Sequence, residues 1–236
     1  MALPKDSALA DRAVIVALVG AESTGKTTLA HGLTQALADQ GLRATMVPEA
    51  LREFCDAHGR TPYPHEQAAI AQDQTRRIEQ AAQTVDVVLA DTTALMTAVY
   101  SDYLFDDRSL YTPALRDHAQ VDLTLLTALD LPWQIDGLHR DGAHVREPVD
   151  GLIRAALASA RLPFSVVAGQ GAHRLDQALL TVKQALTAAQ RARDNASRRR
   201  WRWVCEKCDD GDCEQHWLPR AITANDSTPE GGPSRR

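Results

Sequence analysis

No apolar run in this chain approaches the ~18 residues that a membrane-crossing helix needs. A secretory leader is missing by pattern as well. The opening "MALPKDSALADR" puts Asp6 and Asp11 where a signal peptide needs an apolar stretch, so the expected compartment is the cytoplasm. Cysteines number four, too few for a disulfide scaffold, and three of them crowd between 205 and 213. Positive charge is not in excess. A net charge of −5 gives no reason to expect general nucleic-acid binding by the whole chain. No internal repeat occurs.

What is present suits a soluble globular protein. At 236 residues, with 44% hydrophobic and 24% charged residues, the chain can bury one full core and carry a small appendage. Short apolar runs at 13–19, 44–47, 86–91, 122–127 and 164–168 are rich in Val or Leu and largely unalternated. That pattern predicts parallel strands covered on both faces. Between the first two, Leu29, Leu33, Ala36 and Leu37 fall at helical spacing and form one apolar stripe. The segment 65–84 also reads as helix, but its polar residues do not collect on one side, as in a helix that faces a wet pocket as well as a core. A last regular helix is predicted at 173–193. Strands alternating with helices predict an α/β fold with a five-stranded parallel sheet, helices on its faces and right-handed crossovers.

The stretch "VALVGAESTGKTTLAHGL" (16–33) contains Gly20-x-x-x-x-Gly25-Lys26-Thr27, preceded by a predicted strand and followed by an amphipathic helix. This is the P-loop pattern in its proper context. Glycines let the backbone wrap so that its N–H groups face phosphates, and the helix N-terminus adds a positive dipole end. Gly20, Ala21, Glu22, Ser23, Thr24, Gly25, Lys26, Thr27 and Thr28 are therefore expected to hold a nucleoside triphosphate, ATP. Lys26 can reach the β- and γ-phosphates, and the Thr27 hydroxyl is placed to ligate Mg²⁺. Asp91 ends the third apolar run, where a carboxylate either holds Mg²⁺ through water or caps the next helix; Thr92 and Thr93 are alternative caps.

A P-loop alone does not separate kinases from motors or switches. The chain has no Asn/Thr-Lys-x-Asp guanine signature, which argues against a GTPase, and it is too short for a full AAA⁺ module with a helical lid domain. The size of a small-molecule kinase remains. "VPEALREF" (47–54) follows the second strand and offers Glu49 and Arg52 at the C-terminal sheet edge, where open α/β folds bind ligands. Glu49 can accept a hydroxyl proton or hold a sugar diol; its other reading is an N-cap or surface carboxylate. Arg52 can bind phosphate or pair with Glu49. After the fourth strand, "DLPWQIDGLHRDGAHVREPVD" (130–150) places Arg140 and Arg146, with His139 and His144, in a stretch broken by glycines. It reads as a cationic lid over a transferring phosphoryl, or as a solvated basic loop. "AGQGAHRL" (168–175) offers glycines and Arg174 to pack beside an adenine, or is a simple strand-to-helix turn.

"GAESTGKTT", "PEALREF", the Asp91-Thr92 pair and "W…DGLHRDG…R" resemble the ribosylnicotinamide kinase domain of NadR-type proteins and related, AAA_28-like P-loop ATPases. The loop of that family has the form G-x-E-S-x-G-K-[ST], and Glu22 matches its unusual glutamate. The resemblance extends over about residues 12–190. It implies ATP-dependent phosphorylation of the 5′-hydroxyl of nicotinamide riboside, with a nucleoside-like small molecule as partner. Carried over by position, 20–28 hold ATP, Asp91 assists Mg²⁺, Glu49 and Arg52 lie at the acceptor, and Arg140 and Arg146 lie in the lid. Two departures stand out. His139 intervenes before Arg140 where the family reads D-G-L-R, so Arg146 is the alternative lid cation. The H-x-G-H signature of the NadR adenylyltransferase domain does not occur in this sequence.

Residues 12–193 are thus expected to form the kinase-like domain, 198–220 a Cys/His appendage and 221–236 a disordered tail. Cys205-x2-Cys208-x4-Cys213-x2-His216 has spacings that suit tetrahedral Zn²⁺, with Gly211 at the bend; free thiols or redox chemistry are the other readings. The "RRRWRW" segment (198–203) can bind nucleic acid by phosphate contacts and stacking, but a helix end with packed tryptophans is favoured. Cys55, beside Phe54, reads as a small buried residue. If zinc holds the cluster, metal analysis of the purified, reconstituted protein will find about one zinc per chain, and a chelator will remove it.

Overall fold

β-Branched and leucine side chains dominate the runs that form strands β1 (Val14–Val19), β2 (Ala44–Val47), β3 (Val87–Asp91), β4 (Leu123–Thr127) and β5 (Ser165–Val167). The computed structural model describes residues 12–134 and 142–200, with side chains up to 195. It contains helices α1 (Lys26–Ala38), α2 (Ala50–His58), α3 (Gln67–Ala81), α4 (Ala94–Phe105), α5 (Tyr111–His118), α6 (Arg146–Ser159) and α7 (Gly171–Arg200). All five strands are parallel, in the order β2-β3-β1-β4-β5, with β1 at the centre. The described residues form one compact unit up to Arg191; a second unit begins at Ala192 and is described only through the last residues of α7. The cysteine cluster, Trp201 and Trp203 lie outside the described residues, as do His139 and Arg140. No helix among the described residues is long and apolar enough to cross a membrane.

The central strand shows why the apolar runs do not alternate. Val14, Val16 and Leu18 join a core with α1 and α7, through Leu29, Leu33, Leu37, Ala178 and Val182. Their neighbours Ala13, Ile15 and Val19 face the other side, against Ile78 of α3 and against Leu95, Val149 and Ile153 of α4 and α6. With both faces covered, every position of β1 is buried. The edge strand β5 is only three residues long, and its Val166 is half exposed.

Two helices end differently from the sequence expectation. The 65–84 segment opens with a 3₁₀ turn (Pro64–Glu66), because Pro64 follows a turn in which the Tyr63 N–H donates to Glu66 at 2.7 Å and Arg60 grips the same carboxylate. Its buried polar residues, Gln67 and Gln74, face packed protein rather than open water. The last helix starts two residues earlier than expected and runs on to Arg200. Helix α4 carried no periodic signal, since it is apolar nearly all round. It lies between α3, α5 and α6, and only its last residues, Leu104 and Phe105, reach solvent, so no polar stripe reveals its pitch.

Helix α5 is tied to the sheet edge by a buried imidazole. Nδ1 of His118 shares a hydrogen bond with the Thr93 hydroxyl and Nε2 with that of Thr124, both at 2.9 Å. Burial lowers the His118 pKa from 6.5 to about 4. Between those two pH values the unfolded chain binds a proton that the folded chain refuses, so stability falls as pH drops through the window. The slope reaches at most about 1.4 kcal/mol per pH unit. Thermal melts between these pH values will show this loss, and His118→Gln will flatten it.

Candidate nucleotide site

The chain leaving β1 turns so tightly over the end of β4 that only glycine fits. Gly20 has φ +151°, and a Cβ there would lie 2.1 Å from the Thr127 hydroxyl oxygen. Thr127 then holds the loop: its hydroxyl is 2.7 Å from that of Thr24, which also donates to the Ala21 carbonyl at 2.7 Å. Ser23 and Gly25 adopt left-handed conformations (φ 57° and 75°), and Gly25 stands as the N-cap of α1 without a side chain to occupy the first-turn amides. Those amides therefore stay available to an anion. Lys26 Nζ donates to the Ala21 carbonyl at 2.8 Å, folding the ammonium back across the loop.

Strand register sets the carboxylate. Asp91 pairs with Leu18 across β1 and β3, two residues below Gly20, and is buried. Its Oδ2 accepts the Thr27 hydroxyl at 2.5 Å, while Oδ1 is buried with no protein hydrogen bond. Asp91 does not cap α4. Thr93 does, its hydroxyl accepting the Leu95 N–H at 3.4 Å. Thr92 between them has φ 75°, a strained turn for a β-branched residue. Gln74 of α3 steadies that turn: it donates to the Thr92 carbonyl at 3.4 Å and accepts the Ala50 N–H at 2.7 Å. One buried amide thus joins the loop after β3 to the start of α2.

Glu49 is the N-cap of α2, but its side chain makes no capping bond; instead it pairs with Arg52 at 3.7 Å. Arg52 also lines a cleft of about 730 Å³. Ser23 to Leu29 form one wall of this cleft, and Gln170 to Ala172 with Leu175 form another. A third side comes from Leu131, Pro132 and Gln134, whose backbone is fastened to the loop. Ser23 Oγ accepts the Gln134 N–H at 2.8 Å and donates to its carbonyl at 3.1 Å. Cys55 is buried, and burial together with the Glu49 charge pushes its thiol pKa up, as befits an inert packing residue.

Two arginines sit otherwise than the sequence implied. Arg146 is not in a lid loop but is the first residue of α6, buried beside Val145 and outside the cleft lining; its Nε and Nη2 are buried without protein partners. The helix begins there because a 3₁₀ turn (Ala143–Val145) already winds the chain. Arg174 borders the cleft, yet its guanidinium is engaged by protein: Nη2 donates to the Thr24 carbonyl at 2.8 Å, and Nη1 to the Gly169 carbonyl at 2.9 Å and Asp130 Oδ1 at 3.0 Å. Burial works against ionisation of Asp130, but the Gly169 N–H and Arg174 outweigh it and hold the carboxyl below its ordinary range. Thr127, Asp130 and Gln74 escaped sequence reasoning. Of these only Asp130 carried a signal, as a carboxylate just past a predicted strand.

Comparison with known proteins follows this geometry. The AAA_28 family model, described as an AAA domain, matches residues 15–174. A crystal structure of NadR protein in complex with NR is 21% identical, with a TM-score of 0.61, over 74% of this chain and 51% of that one. A second NadR structure, in complex with NAD and AMP-PNP, is 22% identical with a TM-score of 0.58, over 74% and 50%. Thymidylate kinase from Ehrlichia chaffeensis is 15% identical with a TM-score of 0.51, over 74% and 98%. The match thus spans about half the length of each NadR chain, and these likenesses establish the fold. No curated protein sequence matches the chain. The residues of the phosphate loop, the carboxylate at the end of β3 and most of the cleft fall within the matched region, and the chain belongs to the AAA_28 family of AAA domains.

Proposed function

We propose that this chain is an ATP-dependent phosphotransferase that moves the γ-phosphoryl of MgATP to the 5′-hydroxyl of a nucleoside, with nicotinamide riboside as the acceptor and nicotinamide mononucleotide as the product. The observation that carries this reading is the cleft itself. Lys26, Thr27 and Arg52 line it, and behind them, outside the lining, Asp91 is bonded to Thr27 and Glu49 is paired with Arg52. A nucleotide wall next to an acid–base group is the arrangement of a kinase rather than of a switch. The NadR fold, seen in structures with NR and with AMP-PNP, supports the choice of acceptor and donor.

Roles follow from chemistry. The amides of 20–28 and the Lys26 ammonium bind the triphosphate and neutralise charge on the transferring group. A Mg²⁺ ion fits the donors present: the Thr27 hydroxyl and the Asp91 carboxylate are hard oxygens, and Asp91 Oδ1 is buried without a protein partner. When bound, the ion would supply charge neutralisation to the transferring group. Glu49 accepts the proton of the acceptor hydroxyl, with Arg52, 3.7 Å away, orienting the carboxylate. Arg140 is the lid cation proposed for the transferring phosphoryl; Arg146, the first residue of α6 and outside the cleft lining, is not given that task.

Purified protein incubated with MgATP and a panel of ribosides, with ADP release followed, will turn over nicotinamide riboside. Preference for another nucleoside or a small alcohol replaces the acceptor but keeps the kinase; slow hydrolysis indifferent to acceptor removes it. Lys26→Ala will lower kcat/KM by roughly a hundredfold or more. Glu49→Gln will lower kcat by a similar factor with little change in ATP affinity, as expected for a lost proton acceptor.

A further inference from the structure

A guanidinium as deeply buried as that of Arg174, at 5% exposure, needs its charge and its N–H groups met. The structure meets the two Nη groups with three loops of the C-terminal sheet edge, while Nε is buried without a partner among the described residues. Thr24 belongs to the phosphate loop after β1, Asp130 follows β4, and Gly169 follows β5; these three strands are neighbours in the sheet. Asp130 completes the clasp, since its second oxygen accepts the Gly169 N–H at 2.5 Å. Gly169 has φ +91°, so the carboxylate grips the backbone at a left-handed turn.

The two ends of this clasp lead to the two opposing walls of the cleft. Thr24 lies in the run Ser23–Leu29 that lines the phosphate side, and Gly169 immediately precedes Gln170–Ala172 on the other side. Nη1 gives both of its N–H groups and Nη2 one of its two to protein carbonyls and a carboxylate, which lets the residue brace the two walls against each other.

We infer that Arg174 and Asp130 are a positioning pair that sets the spacing between the phosphate-holding wall and a base-facing wall at Gln170–Ala172. Through it the protein binds a whole nucleotide more tightly than a bare triphosphate. The inference rests on the cleft being the ATP site. Its physical basis is preorganisation: a ligand recognised at both ends gains from the second contact only when the second wall already stands at the right distance. Without the clasp the β5–α7 loop must be ordered at the ligand's expense, and the contribution of the base is lost while that of the phosphates remains.

Arg174→Lys keeps the charge but cannot reach three acceptors with a planar fork, and Asp130→Asn keeps an oxygen for the Gly169 N–H but removes the charge. Affinities for MgATP and for inorganic tripolyphosphate with Mg²⁺ are measured by calorimetry on wild type and both variants, with thermal melts to verify folding. Wild type will prefer MgATP. In each variant MgATP affinity will fall by about tenfold or more and tripolyphosphate affinity by less than about twofold. In turnover the KM for ATP will rise by the same factor, while kcat at saturating ATP falls by less than about threefold. Should Arg174→Lys not fold, Asp130→Asn, the milder change, carries the same comparison. Equal loss of both ligands overturns the inference, since the clasp then only shapes the phosphate loop; so does no loss of either. A wild type that binds tripolyphosphate as well as MgATP overturns the nucleotide reading itself, a result that the variants play no part in.

Discussion

Everything at this sheet edge depends on how closely the backbone at Gly20 passes the side chain of Thr127. That approach brings the first turn of the phosphate loop onto the end of β4, where the Thr127 hydroxyl meets the Thr24 hydroxyl. With the loop wound on β4, Gly25 can take a left-handed conformation and α1 can begin with its first amides pointing outward. The positive end of the helix and the Lys26 ammonium are then oriented before any anion arrives. Dipoles fixed in advance stabilise charge without the reorganisation that water would need.

Buried polar side chains extend the same logic to the loops around the site. Each bridges two segments that the strand order brings together: Gln74 joins the turn after β3 to the start of α2, His118 joins the α4 cap to β4, and Arg174 joins three loops. All three are almost fully buried, so the groups they bond would each be costly to leave unmet. The loops around the cleft are therefore mounted on helices rather than left to find their own conformations. Arg146, at the start of α6, is a buried guanidinium with two nitrogens unmet among the described residues, and Arg174 keeps one such nitrogen, its Nε.

The legible parts of the sequence were those whose cause is local. Each of the five strands was readable within a residue or so, because burial on both faces forces unbroken apolar runs. The phosphate loop was readable because its glycines and Lys26-Thr27 keep a fixed local spacing between a strand and a helix, even though Gly20 also answers to the distant Thr127. Helix α4 was not, since a helix with neighbours on every side has no stripe. Arg146 was read as part of a lid because glycines flank the segment before it; the 3₁₀ turn at Ala143–Val145 places it in a helix instead.

By itself the chain determined where strands run and where the glycine-bearing turn of 20–28 lies, since these follow from side-chain size, backbone angles and hydrophobic period within a few residues. Only the folded sheet decided that Asp91 stands beside Thr27, that Arg174 braces Thr24 from 150 positions away, and that Gln74 links the turns after β2 and β3. The reason is strand order. With β1 between β3 and β4, residues remote in sequence share one edge, and no local pattern in the chain encodes that adjacency.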